Sequence, residues 1–277
     1  MERTALPVTV VRPSRRWPRF GFKEVWEYRD LLYFLVWRDI KVRYKQTALG
    51  VAWAILQPVF ATVVFSVVFG RLARVPSDGI PYPVFAYVAL LPWQLFAFCV
   101  AESANSLVGS QNLIKKVYFP RLIIPLSTVL AGLVDFGISF LVLLALLFRY
   151  HIPLTPSVAV LPALVLFVVA AALSVGLWLS ALNVEYRDVR YTLPFLAQIW
   201  MYATPVVYSS SLVPAKWRPL YGLNPMAGVV EGFRWAVLGR SGALGAQVWV
   251  SVGVVALLLI GGLVYFRRME STFADVV

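Results

Sequence analysis

Charge is absent from long tracts of this chain, and the tracts recur. No ionised side chain falls between Lys45 and Arg71, from Gly79 to Ala101, from Tyr150 to Val184, from Tyr191 to Ala215 or from Ser241 to Phe266; a further tract, Leu122 to Phe148, is interrupted by Asp135 alone. Each is long enough to cross a hydrocarbon core of ~30 Å, which takes ~20 helical residues. The runs lack the polar stripe of a soluble amphipathic helix and the ~10-residue alternation of a membrane barrel. In lipid every backbone N–H and C=O needs an internal partner, so continuous apolar runs predict helices. The pattern therefore predicts an all-α membrane protein with six transmembrane helices, at 47–70, 84–107, 122–148, 158–182, 192–208 and 246–266. Gln57-Pro58 predicts a kink in the first span, and Thr204-Pro205 lies near the far end of the fifth.

The segments between spans carry their own patterns. In 23–46, Tyr33, Trp37, Ile40 and Tyr44 share one helical face, with Arg38, Lys41 and Lys45 beside it. Aromatic residues on one side and bases on the other predict an amphipathic helix lying in the headgroup plane; a short helix packed on protein is the alternative. Ahead of it, residues 1–22 are rich in Pro and Arg and read as a mobile basic cytoplasmic tail. Residues 47–277 form the transmembrane domain. Its longest loop, 209–245, is mostly apolar or aromatic. There Asn224 suits a helix N-cap, Pro225 the first helical position and Gly239 the C-terminal stop, so 225–238 predicts a helix too short to span. Such a segment before the last span re-enters the membrane or lies on it, as an outer gate or as an interfacial anchor.

Composition agrees with a lipid solvent. Hydrophobic residues make up 60%, charged ones 14%, and mean hydropathy is +0.77, against roughly 45–50% and 25% for soluble domains. The net charge of +12 raises nucleic acid as a partner, but the bases flank membrane spans instead of clustering on a soluble face, so no nucleic acid is expected. With the N-terminus inside, segments 1–50, 108–121, 183–192 and 267–277 hold 18 of the 25 Lys and Arg, which predicts cytoplasmic termini and an even number of crossings. The first apolar run begins only after about fifty residues, which argues against a cleaved signal. Cys99, the single cysteine, excludes an intrachain disulfide and reads as a small buried apolar residue.

Catalytic chemistry is missing from the pattern. No Gly-x-x-x-x-Gly-Lys-Ser/Thr loop is present, no His/Cys cluster has metal spacing, and the one histidine, His151, falls in a short loop. Two acids lie within spans, Glu102 near a span end and Asp135 deeper. Intramembrane acids mark function, yet an ion-coupled carrier needs more polar groups at the midplane. Glu185, Asp188 and Glu231 are scattered over opposite sides. No catalytic residue and no metal site is expected, and the chain reads as a membrane pathway whose energy comes from a partner.

Several separated segments carry a resemblance. These are Asn105-Ser-Leu-Val-Gly-Ser-Gln-Asn-Leu-Ile-Lys-Lys-Val-Tyr-Phe-Pro-Arg121 with Pro125 and Ser127, Arg43-Tyr-Lys-Gln-Thr-Ala-Leu-Gly50 with Trp53 and Leu56-Gln57-Pro58, Leu91-Pro-Trp93, Asn183-Val-Glu-Tyr-Arg-Asp-Val-Arg190 and Tyr221-Gly-Leu-Asn-Pro-Met226. Together they resemble the permease subunits of ABC-2 transporters that export polysaccharides such as O-antigen or teichoic acid, over about residues 28–275. The resemblance implies a homodimer of six-span subunits in the bacterial inner membrane, bound to two ATPase subunits. It implies no cofactor on this chain, with ATP and Mg held by the ATPase.

It further implies that 108–121 is a coupling helix seated in the ATPase. Asn112, Lys115, Lys116 and Arg121 would supply a polar, basic contact face, and Ile114, Val117, Tyr118 and Phe119 apolar anchors, with Glu185, Arg187 and Asp188 as a second contact. A polysaccharide is apolar on its C–H faces, so aromatic rings could line its path. Trp53, Phe60, Trp93, Phe96, Trp200 and Tyr202 are the candidates, against the alternative of an interfacial belt or ordinary packing. The lipid carrier would be a polyprenyl pyrophosphate whose anionic head meets Arg38, Lys41, Arg43 and Lys45. The function implied is ATP-driven export of a lipid-linked polysaccharide. The alternatives are an ABC-2 permease for a small lipid or drug and a membrane glycosyltransferase or flippase acting alone.

Overall fold

A computed structural model describes residues 22–45, 50–239, 245–270 and Phe273. The basic tail, apart from Phe22, lies outside the described residues. Among those residues all regular structure is helical: α1 Phe22–Glu27, α2 Arg29–Lys45, α3 Ala52–Phe65 with a π-helical continuation Ser66–Leu72, α4 Tyr82–Gly109, α5 Gln111–Lys116, α6 Ile123–Arg149, α7 Leu161–Glu185 after a 3-10 turn Pro156–Val160, α8 Val189–Ala203, α9 Arg218–Tyr221, α10 Pro225–Leu238 and α11 Ala246–Met269.

Five of these are long and apolar enough to cross a membrane: Ala52–Leu72, Tyr82–Gly109, Ile123–Arg149, Pro156–Glu185 and Ala246–Met269. Their bounds fall close to five of the predicted spans. The span expected at 192–208 differs, because α8 has 15 residues and ends at Ala203. Thr204 is extended, at φ −100° and ψ 144°. It precedes Pro205, whose Cδ clashes with a helical residue before it, so the proline stops this helix instead of kinking it. By contrast Pro58 sits inside α3, and the hydroxyl of Thr62 donates to its carbonyl at 2.8 Å. The helix predicted at 225–238 has those bounds: Asn224 Oδ1 accepts from the N–H of Met226 at 3.1 Å, and Gly239 takes the left-handed φ of +63° that ends it.

The core forms around α4. Every residue from Val84 to Leu91 is buried, because α6, α7, α3, α8 and α10 surround the helix. A helix enclosed on all sides needs no polar stripe, which is why its sequence shows none. Hydrogen bonds tie it to its neighbours: Tyr87 donates to the carbonyl of Ser139 at 2.9 Å, and Asn183 on α7 donates to the carbonyl of Ala104 at 2.8 Å. On the far side α11 packs against α7 and α10. α10 meets it at Gly228, where a Cβ would sit 2.6 Å from the Ser251 side chain. Ser251 Oγ itself donates to the carbonyl of Gly222 at 2.8 Å. Gly228→Ala is therefore expected to push α10 off α11 and cost about 1–3 kcal/mol despite the gain in helix propensity. Gly137→Ala, whose Cβ meets nothing within 4 Å, should melt no lower than wild type. Thermal unfolding in detergent, followed by tryptophan fluorescence, compares the two.

α2 does not stand apart from the bundle. Leu31, Leu35, Asp39 and Arg43 recur at every fourth position, one helical face, and that face packs along α6. Leu35 is buried, Asp39 accepts from Ser127 at 3.3 Å and Arg43 pairs with Asp135. Of the predicted aromatic stripe, Tyr33 and Trp37 are exposed, while Tyr44 turns to Asp135.

Candidate functional site

Between α3, α4, α6 and the end of α2 lies a cavity of about 620 Å³, within the ~300–1,000 Å³ typical of small-molecule sites. Its wall mixes apolar rings with polar groups: Trp53 and Gln57 from α3, Trp93, Gln94 and Phe98 from α4, Asp135, Phe136 and Ser139 from α6, and Arg43 and Tyr44 from α2. One acid organises this wall. Arg43 forms an ion pair with Asp135, the Tyr44 hydroxyl donates to the other carboxylate oxygen, and the Arg43 guanidinium lies over the Phe98 ring at 4.0 Å. A charge at membrane depth is costly unless paired, and these contacts neutralise it. Burial, then the neighbouring carboxylate, push the Tyr44 hydroxyl well above the ordinary phenol range and keep it a donor.

The bases read as meeting a lipid head group are thereby divided. Arg43 is committed to Asp135, and Arg38 donates to Asp39 at 2.8 and 2.9 Å. Lys41 is exposed over the Trp37 ring at 5.1 Å, and Lys45 is exposed. Local spacing placed Arg43 among interfacial bases, because its partner is 92 residues away.

The aromatic residues also divide. Trp93, Phe96 and Trp200 come together where α4 and α8 cross, with ring centroids 5.6, 6.5 and 5.0 Å apart. Trp93 and Phe96 are buried, and Trp200 donates to Asn224 Oδ1 at 2.9 Å. Trp53, Phe60 and Tyr202 are exposed. Trp53 and Trp93 both border the cavity.

At the end of the bundle opposite α5, the break after α8 leaves main-chain carbonyls without helical partners. Distant side chains supply them. Tyr221 donates to the carbonyl of Ala203 at 2.9 Å, and Asn224 donates to the same oxygen at 3.3 Å while capping α10. Arg234, on α10, donates to the carbonyls of Val206 and Tyr208 at 2.9 and 3.1 Å and lies 3.7 Å from the Phe85 ring centroid. Arg234 was not foreseen as important. Its signal was present all the same: a base three residues after an acid, Glu231, inside a helix apolar elsewhere and too short to span.

At the other end, Asn112, Lys115, Lys116 and Tyr118 are exposed on and after α5, as are Glu185, Arg187 and Asp188 between α7 and α8. Ile114 and Phe119, expected to face a partner, are buried in the chain's own core beside Leu122 and Phe266. Arg121 is half-buried and donates to the main-chain carbonyl of Glu270. The exposed face is accordingly narrower than the sequence suggests.

Long apolar helices around a partly polar cavity are the architecture of a membrane transport protein. More narrowly, the chain belongs to the ABC-2 type transporter family, which matches residues 30–238, from α2 through α10. It is 30% identical over 253 residues to the O-antigen export system permease protein RfbA of Klebsiella pneumoniae, covering 90% of this chain and 95% of that protein. A protein of the same name from Myxococcus xanthus is 30% identical over 259 residues, covering 92% and 98%. The polysialic acid transport protein KpsM of Escherichia coli is 22% identical over 241 residues, covering 84% and 92%.

Proposed function

We propose that this chain is the transmembrane subunit of an ATP-driven exporter that moves a lipid-linked polysaccharide, O-antigen-like or teichoic-acid-like, outward across the bacterial inner membrane. The observation that carries this reading is the similarity, over nearly the whole chain, to two O-antigen export permeases. Two copies assemble with two ATP-binding cassette subunits, which bind ATP and Mg. The exposed apolar stripe of α8, Tyr191, Phe195, Ile199 and Tyr202, and that of α3, Trp53, Phe60 and Val64, suit contact with the second copy or lipid.

In this reading α8 and the turns after it complete a sixth crossing, α9 and α10 re-enter from outside, and both termini are cytoplasmic. α1 and α2 lie at the inner surface, where Trp26, Tyr33, Phe34 and Trp37 are exposed at the level of an aromatic belt. Lys41 and Lys45, the exposed bases of α2, orient the pyrophosphate head, and Trp53, exposed beside the cavity, offers a stacking face to the glycan. Asn112, Lys115, Lys116 and Tyr118 contact the ATPase, with Glu185, Arg187 and Asp188 as a second point.

Reconstitution with and without the ATPase subunit tests the reading. The isolated chain should be inert, and the complex should move a polyprenyl-pyrophosphate-linked glycan only with ATP. Lys115→Glu with Lys116→Glu should weaken ATPase association about tenfold or more, a loss of ~1.4 kcal/mol at least. Transport or modification of a glycan by the chain alone would end the proposal.

A further inference from the structure

At the α5 end of the bundle, three segments distant in sequence are linked through Glu270 and Arg267. Glu270, the residue after α11, accepts from the main-chain N–H of Arg121 and from Arg267 Nη1, each at 2.9 Å. Arg121 returns the contact, its guanidinium donating to the main-chain carbonyl of Glu270. Arg267 uses its other terminal nitrogen to reach Glu24 on α1 at 3.0 Å. The side chains of Arg267 and Glu270 are 16% and 18% exposed, that of Glu24 53%. Below them, Ile114, Phe119, Leu35 and Phe266 share one apolar cluster, so α5, α2 and α11 rest on a common base.

The exchange between Arg121 and Glu270 is more than an exposed ion pair, which contributes only about 0–1 kcal/mol. Arg121 stands just ahead of α6, where N–H groups lack helical acceptors, and Glu270 stands at the end of α11, where carbonyls lack donors. Each side chain satisfies the other's orphan group. Each also suits the helix end it visits, the carboxylate at an N-terminus and the guanidinium at a C-terminus. The loop after α5 is thus fastened to the end of α11 in one geometry. From that end a single further link, Arg267 to Glu24, reaches α1, which leads through α2 to Arg43 and the cavity wall.

Resting on the proposed function, we infer that Glu270 is a positioning residue, which uses the end of the last helix as a strut between the ATPase-facing α5 loop and α1. A displacement of that loop is passed to α1 through Glu270 and Arg267 as well as through apolar packing. Glu270→Gln keeps an acceptor for the Arg121 N–H but removes the charge facing Arg267. Glu24→Gln removes the charge from the last link alone, at an exposed site that tolerates substitution.

The test uses the permease–ATPase complex in proteoliposomes, with export and ATP hydrolysis measured together and assembly checked by gel filtration and melting. Both variants should assemble and hydrolyse ATP within about twofold of wild type, while export per ATP falls by about tenfold in Glu270→Gln, a coupling loss of ~1.4 kcal/mol, and by about threefold in Glu24→Gln, as suits a half-exposed pair. Glu24→Asp, which restores the charge, should recover most of that ratio. Unchanged export per ATP in both variants, or hydrolysis and export falling together in Glu24→Gln, would overturn the role given to Glu270. Absence of ATP-driven export in the wild-type complex would remove the parent reading, and this inference with it.

Discussion

Asp135→Leu is expected to destabilise the bundle more than the double change Asp135→Leu with Arg43→Met. The single substitution takes the carboxylate from Arg43 and the acceptor from Tyr44 at once. Both former partners then face the cavity and the Phe98 ring with a cation no longer compensated by Asp135. A fully buried pair broken on one side costs roughly 3–5 kcal/mol, and an exposed one roughly 0–1. Here the side chains are 29% and 27% exposed, which puts the single variant at about 2–3 kcal/mol. Replacing both partners with apolar groups of similar size removes the charge with its counter-charge, and buried pairs exchanged in this way come out near neutral. The double variant should return to within about 1 kcal/mol of wild type. A double-mutant cycle from melting curves in one detergent measures the coupling. A double variant at least as unstable as Asp135→Leu would mean that packing, not charge, dominates this wall.

The spans were legible because a helix buried in lipid and a helix buried in protein carry the same apolar run. The sequence could not separate α4, enclosed on every side, from α3, which stands at the edge, since neither needs a polar face. Asn224 and Gly239 fixed α10 through purely local chemistry. The end of α8 was not legible. Thr204-Pro205 was visible, but whether a proline kinks a helix or stops it depends on whether the freed carbonyls find donors. Here those donors are Tyr221, Asn224 and Arg234, 18 to 28 residues from their acceptors. Asp135 stood out as a deep acid, while its partner stayed hidden in a run of bases read as interfacial. Phe119 shows the same limit. An aromatic residue beside a basic loop reads alike whether it anchors a partner or fills the chain's own core.

Arg234→Leu carries the other large expected effect, and its sign rests on a competition. The buried guanidinium makes two main-chain hydrogen bonds and one ring contact, yet its Nε has no hydrogen-bond partner. Removing it therefore relieves the desolvation of a cation. Against that relief stand two carbonyls, of Val206 and Tyr208, that lose their donor. Val206 is fully buried, so water cannot replace the guanidinium at that carbonyl. Each orphaned carbonyl costs about 1–3 kcal/mol, and a desolvated cation over a ring adds about 2. The losses outweigh the relief, and a net destabilisation of about 3 kcal/mol is expected. Arg234→Lys sharpens the reading. An ammonium keeps the charge but lacks the planar fork that spans two carbonyls, so it should fall between wild type and Leu. Amide exchange at Thr204 and at 206–209 should rise in the same order, since this stretch of turns and bends lacks helical hydrogen bonds to hold it. If Arg234→Leu melts at or above wild type, the desolvation cost has won, and the break after α8 is held by Tyr221 and Asn224 without help from the cation.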